Sequence, residues 1–311
     1  MTEQKYESDT LGTRMKGYEV TSQNTLLRRM PVIIRVDGKA FHTFTKRLKD
    51  VDPSVLVTPF STKLHHVMNC TAVALHYEVQ TCQLAYTQSD EISLLLRDWD
   101  NLETQQWFGG NVQKMTSVSA SIATAMFNNV YGKDIKQPES FQDLALFDAR
   151  VYNLPKEEVT NYFIWRQQDA TRNSIQMLGH YHFSQKEMHG KNNNQVQDML
   201  MLQKGVNWND LATWMKRGSC VIQDPYWSPV MSSPREVVDD FIPIFTQNRN
   251  YVERHLETPE QQEATDRACS SYAQLVGGIE ATPGSKGWCP HGVSLQSSCL
   301  KCGFVGATQY K

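Results

Sequence analysis

Tyr86-Thr87-Gln88-Ser89-Asp90-Glu91 ends one apolar run, Cys82 to Tyr86, and opens another, Ile92 to Leu96. Two runs of strand length around a polar turn read as a β-hairpin with acidic residues at its tip. Earlier, Val32-Ile33-Ile34-Arg35-Val36 is a β-branched run that passes directly into Asp37-Gly38. Two acidic strand ends of this kind can face each other across one sheet, where paired carboxylates hold magnesium and meet nucleotide phosphates. Plain hairpin turns are the alternative, because Asp-Gly and Ser-Asp-Glu also suit turns with no further role.

The surrounding pattern favours one sheet. Phe60, Leu64, Val67, Met68 and Thr71 to Leu75 recur at spacings of three and four, which predicts a helix over about 59–79. Gly109-Gly110 opens a second helix with Val112, Met115, Val118, Ile122, Ala125 and Met126 on its buried stripe. Phe147 to Tyr152 is a fourth strand, stopped by Pro155, while Lys39 to Arg47 reads as a turn and a short basic-aromatic stretch. The order β-α-β-β-α-β predicts an α+β fold of ferredoxin-like type, the antiparallel arrangement of nucleotide polymerase palms and cyclases. Glu157 to Phe183 reads as a long helix, followed by helical segments to Lys216 and an irregular, proline-marked region from Val221 to about Leu275. The expected division is a palm-like catalytic core over 1–155, a helical extension over 156–283 and a small tail over 284–311.

Composition agrees with an ordinary globular protein: 311 residues, 40% hydrophobic, 21% charged, formal net charge −2. No apolar run approaches the roughly 18 residues of a spanning helix, and the polar stretch from Met1 to Thr10 carries no secretory h-region. Seven cysteines, an odd count, suit reduced thiols in an intracellular, cytoplasmic setting.

Two-metal nucleotidyl transfer needs carboxylates on neighbouring strands, and Asp37 and Asp90 fit as bridging ligands. The carbonyl of Gly38 could add a hard oxygen, since glycine lets the backbone approach closely. The amides of Asp37, Gly38, Lys39, Ala40, Phe41 and His42, with the Ser89 hydroxyl, could meet phosphate oxygens.

Three stretches carry a resemblance. Arg-Val-Asp-Gly-Lys-Ala-Phe-His (35–42), Tyr-Thr-Gln-Ser-Asp-Glu-Ile-Ser (86–93) and Trp-Arg-Gln-Gln-Asp-Ala-Thr-Arg-Asn (165–173) resemble motifs of the tRNA(His) guanylyltransferase family, over about residues 25–215. The resemblance implies two magnesium ions on Asp37, the Gly38 carbonyl and Asp90, with Asp37 and Asp90 catalytic. It implies nucleotide contacts from residues 37 to 42, Ser89, Asp90 and Lys114. It also implies ATP and GTP or another nucleoside triphosphate as substrates, the 5′ end of tRNA as partner, and a homo-oligomer, often a tetramer. In such enzymes ATP adenylylates a tRNA 5′-monophosphate, and the 3′-hydroxyl of the incoming nucleotide then displaces AMP, so growth runs 3′–5′. Eukaryotic members follow the third motif with Cys-His-Ile-Asn-Asn-Leu-Tyr-Asn; here Ala170-Thr171-Arg172-Asn173-Ser174-Ile175-Gln176-Met177 stands there. Thr171 replaces the histidine and only Asn173 is kept, which points to the bacterial, archaeal and phage relatives that repair 5′-truncated tRNAs. A nucleotide cyclase on the same palm, or a catalytically silent RNA-binding module, is the alternative expectation.

Cys289-Pro290-His291 followed by Cys299-Leu300-Lys301-Cys302 has the residue types of a tetrahedral zinc site. A short tail with little apolar content would use Cys289, His291, Cys299 and Cys302 to hold a structural zinc ion in place of a core. Arg150, Arg166, Arg172, Lys186 and Lys191 are candidates for a tRNA phosphate path.

Overall fold

Strand β1 (Val32–Gly38) is the axis of the sheet in this computed structural model, which describes residues 10–51, 59–223 and 236–264. It pairs antiparallel with β3 (Glu91–Leu96) on one side and β4 (Phe147–Asn153) on the other. β2 (Cys82–Gln88) pairs with β3, β5 (Ser219–Gln223) with β2, and β6 (Glu236–Asp239) with β5. The result is a six-stranded sheet in the order β4-β1-β3-β2-β5-β6.

Alternation along β1 sorts its side chains between two cores. Val32, Ile34 and Val36 pack against Val67, Leu75, Met115 and Phe127, which lie on α3 (Thr62–Glu78) and α4 (Val112–Asp134). Ile33, with Leu84, Tyr86 and Leu95, packs against Val159, Phe163, Ile242 and Phe245. Val159 and Phe163 sit on α5 (Lys156–His182), which covers this second face together with the chain after β6. With both faces covered, the central strands lose the polar alternation of a one-sided sheet, and every residue of β3 is buried.

The β-α-β-β-α-β order is present, and two features differ from expectation. The basic-aromatic stretch after Gly38 is a helix, α2 (Phe41–Val51), preceded by the exposed α1 (Leu11–Val20). Phe41 and Phe44, three residues apart, drive α2 onto Phe127 and onto Phe147 and Tyr131 respectively. The region expected to be irregular supplies β5 and β6, so the sheet crosses position 155 and is completed by residues assigned to a helical extension. The Tyr86 hydroxyl donates to the carbonyl of Arg217 at 2.7 Å, holding the approach to β5 against β2. Short helices α6 (Gln185–Met188), α7 (Asn193–Met199) and α8 (Thr213–Arg217) build a satellite core with the end of α5, and α9 (Asn250–Glu253) closes the second face. Among the described residues no helix is long and apolar enough to cross a membrane. Cys289, His291, Cys299 and Cys302 lie outside the described residues.

Candidate active site

Asp37 and Gly38 are the last residues of β1, and Ser89-Asp90 is the two-residue turn between β2 and β3. The Gly38 N–H donates to the Asp90 carbonyl at 3.0 Å, so the hairpin turn is fastened to the end of β1. Ser89 adopts φ 53, a left-handed backbone that costs an L-residue about 1–2 kcal/mol. Such strain persists where the surrounding structure holds it, here between two paired strands.

Register then sets the electrostatics. Asp37 stands opposite Glu91 on β3 and Asp148 on β4. Arg35 reaches Asp37 through Nη2–Oδ2 at 3.3 Å, and Arg150 approaches the same oxygen at 4.0 Å. Glu91 is buried and accepts two hydrogen bonds from Arg166, Nε–Oε1 at 2.7 Å and Nη2–Oε2 at 3.1 Å. Arg166 also donates to Asp169 at 2.8 Å, and its guanidinium lies 4.2 Å from the Trp165 ring centre. Ser93 Oγ lies 2.7 Å from the Tyr162 hydroxyl, joining the same layer to α5.

Burial pushes the Asp90 carboxyl above the usual range. Its own backbone N–H and the Ser89 hydroxyl pull it down, while the charge of Asp37 pushes it up again. Burial raises Glu91 too, against the opposing pull of Arg166 and then Arg35. The difference lies in the setting. Glu91 is held between two arginines in the buried layer, whereas Asp37, with Arg35 and Arg150 near it, and Asp90 stand at a partly open edge, where a divalent cation would relieve their mutual repulsion. Carboxylate oxygens and a backbone carbonyl such as that of Gly38 are hard oxygens of the kind magnesium takes. Among the described residues no group of three or more His, Cys, Asp or Glu side chains is arranged as a metal cluster. A cation at this edge would therefore complete its shell from the backbone, water or phosphate.

The backbone beside the carboxylates suits an anion. Lys39 N–H donates to Leu146 at 2.8 Å, Ala40 turns left-handed at φ 52, and its carbonyl accepts from Thr43 and Phe44 to start α2. The N–H groups of Ala40, Phe41 and His42 have no backbone partner among the described residues, and no acidic side chain occupies the first turn. Free amides at a helix start form an anion-binding cradle. Lys39 and His42 are exposed at its rim.

The same arrangement of chain is found in a solved bacterial tRNA(His) guanylyltransferase (Thg1)-like protein in complex with ATP, 43% identical, with TM-score 0.71, over 80% of this chain and 99% of that one. The chain belongs to the tRNAHis guanylyltransferase family. The model of that family matches residues 12–155. A bacterial Thg1-like protein in complex with GTP is 42% identical with TM-score 0.66, covering 80% of this chain and 99% of that chain. The tRNA(His) guanylyltransferase of Debaryomyces hansenii is 28% identical over 218 residues, 65% of this chain and 77% of its own.

Within this member of the tRNAHis guanylyltransferase family, Asp37, Gly38, Lys39, Ala40, Phe41, His42, Ser89 and Asp90 gather at one sheet edge. Lys114 does not join them. Its amide is capped by Asn111 at the start of α4, and the next residue, Met115, packs beside Val32 and Leu96 at the opposite end of the sheet. Phe127 on α4, which does touch Phe41, comes thirteen residues later, about 20 Å along the helix. Arg166, expected on a surface phosphate path, is buried in its ion pairs, while Arg150 and Arg172 keep 57% and 63% of their side chains exposed. The expectations passed over the roles of Arg35, Glu91 and Asp169. The signal for them was present, as charged residues inside apolar strands and on a helix that covers a sheet rarely stay unpaired.

Proposed function

We propose that this chain is a magnesium-dependent nucleotidyltransferase that adds nucleotides in the 3′–5′ direction to the 5′ end of tRNA. The observation that carries the reading is the Gly38 to Asp90 backbone bond, which sets two carboxylates beside the free amides of α2. Relatives that hold ATP and GTP support triphosphates as the anions this edge receives. In this reading Asp37, Asp90 and the Gly38 carbonyl hold the metal. Bound magnesium would offset triphosphate charge and favour the attacking oxygen. The amides of Ala40, Phe41 and His42 orient the phosphates, and Lys39 and His42 add contacts at the rim.

With a 5′-monophosphate, an oxygen of the RNA phosphate attacks the α-phosphorus of ATP and releases pyrophosphate. The 3′-hydroxyl of the next nucleotide then attacks the activated 5′ phosphorus, releases AMP and loses its proton. A 5′-triphosphate end already carries its leaving group and skips the first step. Arg150 and Arg172 are placed to receive RNA phosphates. Thr171, in place of the histidine of eukaryotic members, supports repair of truncated tRNA as the substrate class. Cys289, His291, Cys299 and Cys302 would hold a structural zinc ion.

Labelled tRNAs with intact or truncated 5′ ends, offered with ATP and each nucleoside triphosphate, test this. Asp37→Ala and Asp90→Ala should abolish addition with the circular dichroism spectrum unchanged. Full activity in either variant, or a cyclic product from GTP alone, would sink the reading.

A further inference from the structure

Two carboxylates share one guanidinium at this edge. Arg35 Nη2 lies 3.3 Å from Asp37 Oδ2, and Arg35 Nε lies 3.0 Å from Glu91 Oε2. The second contact is an ion pair without hydrogen-bond alignment, since the buried Nε has no hydrogen-bond partner. The one carboxylate hydrogen bond of Arg35 goes to Asp37 through Nη2, while the Nε contact to Glu91 is electrostatic alone, so without Glu91 a small rotation would bring Nε onto Asp37 as well. Glu91 itself is fixed from the other side. Arg166 grips it through two nitrogens, Asp169 holds Arg166, and Arg172 contacts Asp169 in turn. The chain of charges thus runs from α5 through Glu91 and Arg35 to Asp37.

A guanidinium on a carboxylate oxygen competes with a metal ion for that oxygen, because both are drawn by the same charge. We propose that Glu91, clamped by Arg166, shares Arg35 with Asp37, keeps its Nε off that carboxylate, and so sets how tightly the Asp37–Asp90 edge takes a divalent cation. Glu91 and Arg166 are positioning residues in this arrangement and act through Arg35. The inference rests on the metal reading of Asp37 and Asp90. It goes beyond that reading by making the third acidic residue of the turn a restraint on a competing cation.

Manganese titrations of the full chain, followed by electron paramagnetic resonance without nucleotide or RNA, separate the possibilities. Wild type is compared with Asp37→Asn to define the Asp37-dependent site. Glu91→Gln should weaken that site by on the order of 10–100-fold, the usual effect of removing a partner behind a metal ligand. Arg35→Gln alone should bind manganese more tightly than wild type, and Arg35→Gln with Glu91→Gln should regain most of the affinity lost in Glu91→Gln. A merely structural network predicts the opposite, with every loss of a partner weakening binding and the double variant weakest. The gain in Arg35→Gln cannot come from unfolding, so it carries the test even if Glu91→Gln fails to fold. Wild-type affinity in a folded Glu91→Gln, no recovery in the double variant, or weaker binding in Arg35→Gln overturns the inference while leaving the metal site standing. Absence of any Asp37-dependent manganese site in wild type overturns the metal reading and this inference with it.

Discussion

A methyl group added at Gly38 would meet the Phe41 ring at 2.2 Å. That ring anchors α2 against Phe127 and Phe147, so the glycine fixes how close the phosphate-binding amides come to Asp37. Gly38→Ala should destabilise the fold by roughly 1–3 kcal/mol through overpacking, read as a lower urea midpoint, with a raised KM for triphosphate. An unchanged midpoint would mean that α2 is not seated by this contact. At this scale Asp37, Gly38 and Asp90 were legible because each stands where an apolar run stops. Glu91 was visible but its role was not, since Arg166 reaches it across 75 positions and no local pattern records such a pairing. The end of the sheet at which Lys114 starts its helix was not legible for a related reason. A residue at the start of a helix lies at one end of the sheet or the other, and the sequence alone does not say which.

At the scale of elements, one buried amide side chain joins α5 to the chain after β6 through both of its ends, with an exposed Arg249–Asn161 bond at 3.2 Å beside it. Gln167 donates to the Pro243 carbonyl at 2.9 Å and accepts from the buried Phe245 N–H at 2.8 Å. Gln167→Met keeps the volume and leaves Phe245 N–H without its partner, at a cost of about 1–3 kcal/mol. Equilibrium denaturation should show a lower midpoint at unchanged slope; equal stability would assign the seam to the apolar core around Phe163 and Phe245 and to the Arg249–Asn161 bond. Long elements were legible because α3, α4 and α5 repeat their apolar positions over several turns. β5 and β6 span five and four residues, too short for a period to declare itself among the neighbouring prolines. Phe41 and Phe44 did carry a helical spacing, but the basic residues between and after them disguised α2 as a loop.

At the scale of the whole molecule, the second core encloses a titratable group. His255 is buried near Leu256, and burial, with Arg254, His76 and Arg97 after it, holds its pKa well below the usual value. The unfolded chain binds a proton on this residue below about pH 6.5, and the folded chain does not. Stability is therefore complete above about pH 6.5 and falls as the pH drops, by up to about 1.4 kcal/mol per unit. Urea midpoints at successive pH values should show this slope, and His255→Gln should flatten it. An equal slope in the variant would place the acid sensitivity elsewhere. The fold class was legible at this scale because strand and helix order alone restrict the topology. The extent of the sheet was not, because its last two strands arrive only after the whole of α5.

That late arrival bears on how the protein is made. The Tyr86 hydroxyl meets Arg217 across 131 positions, and β5 lies just beyond. At a synthesis rate of about 5–20 residues per second, the outer edge of β2 waits on the order of ten seconds for its partner strand. During that interval a nascent chain presents an unpaired, apolar strand edge, the kind of surface that templates misassembly. The hairpin bearing Asp90 is thus complete early, while the strand that seals it against other chains comes from the far side of the sequence.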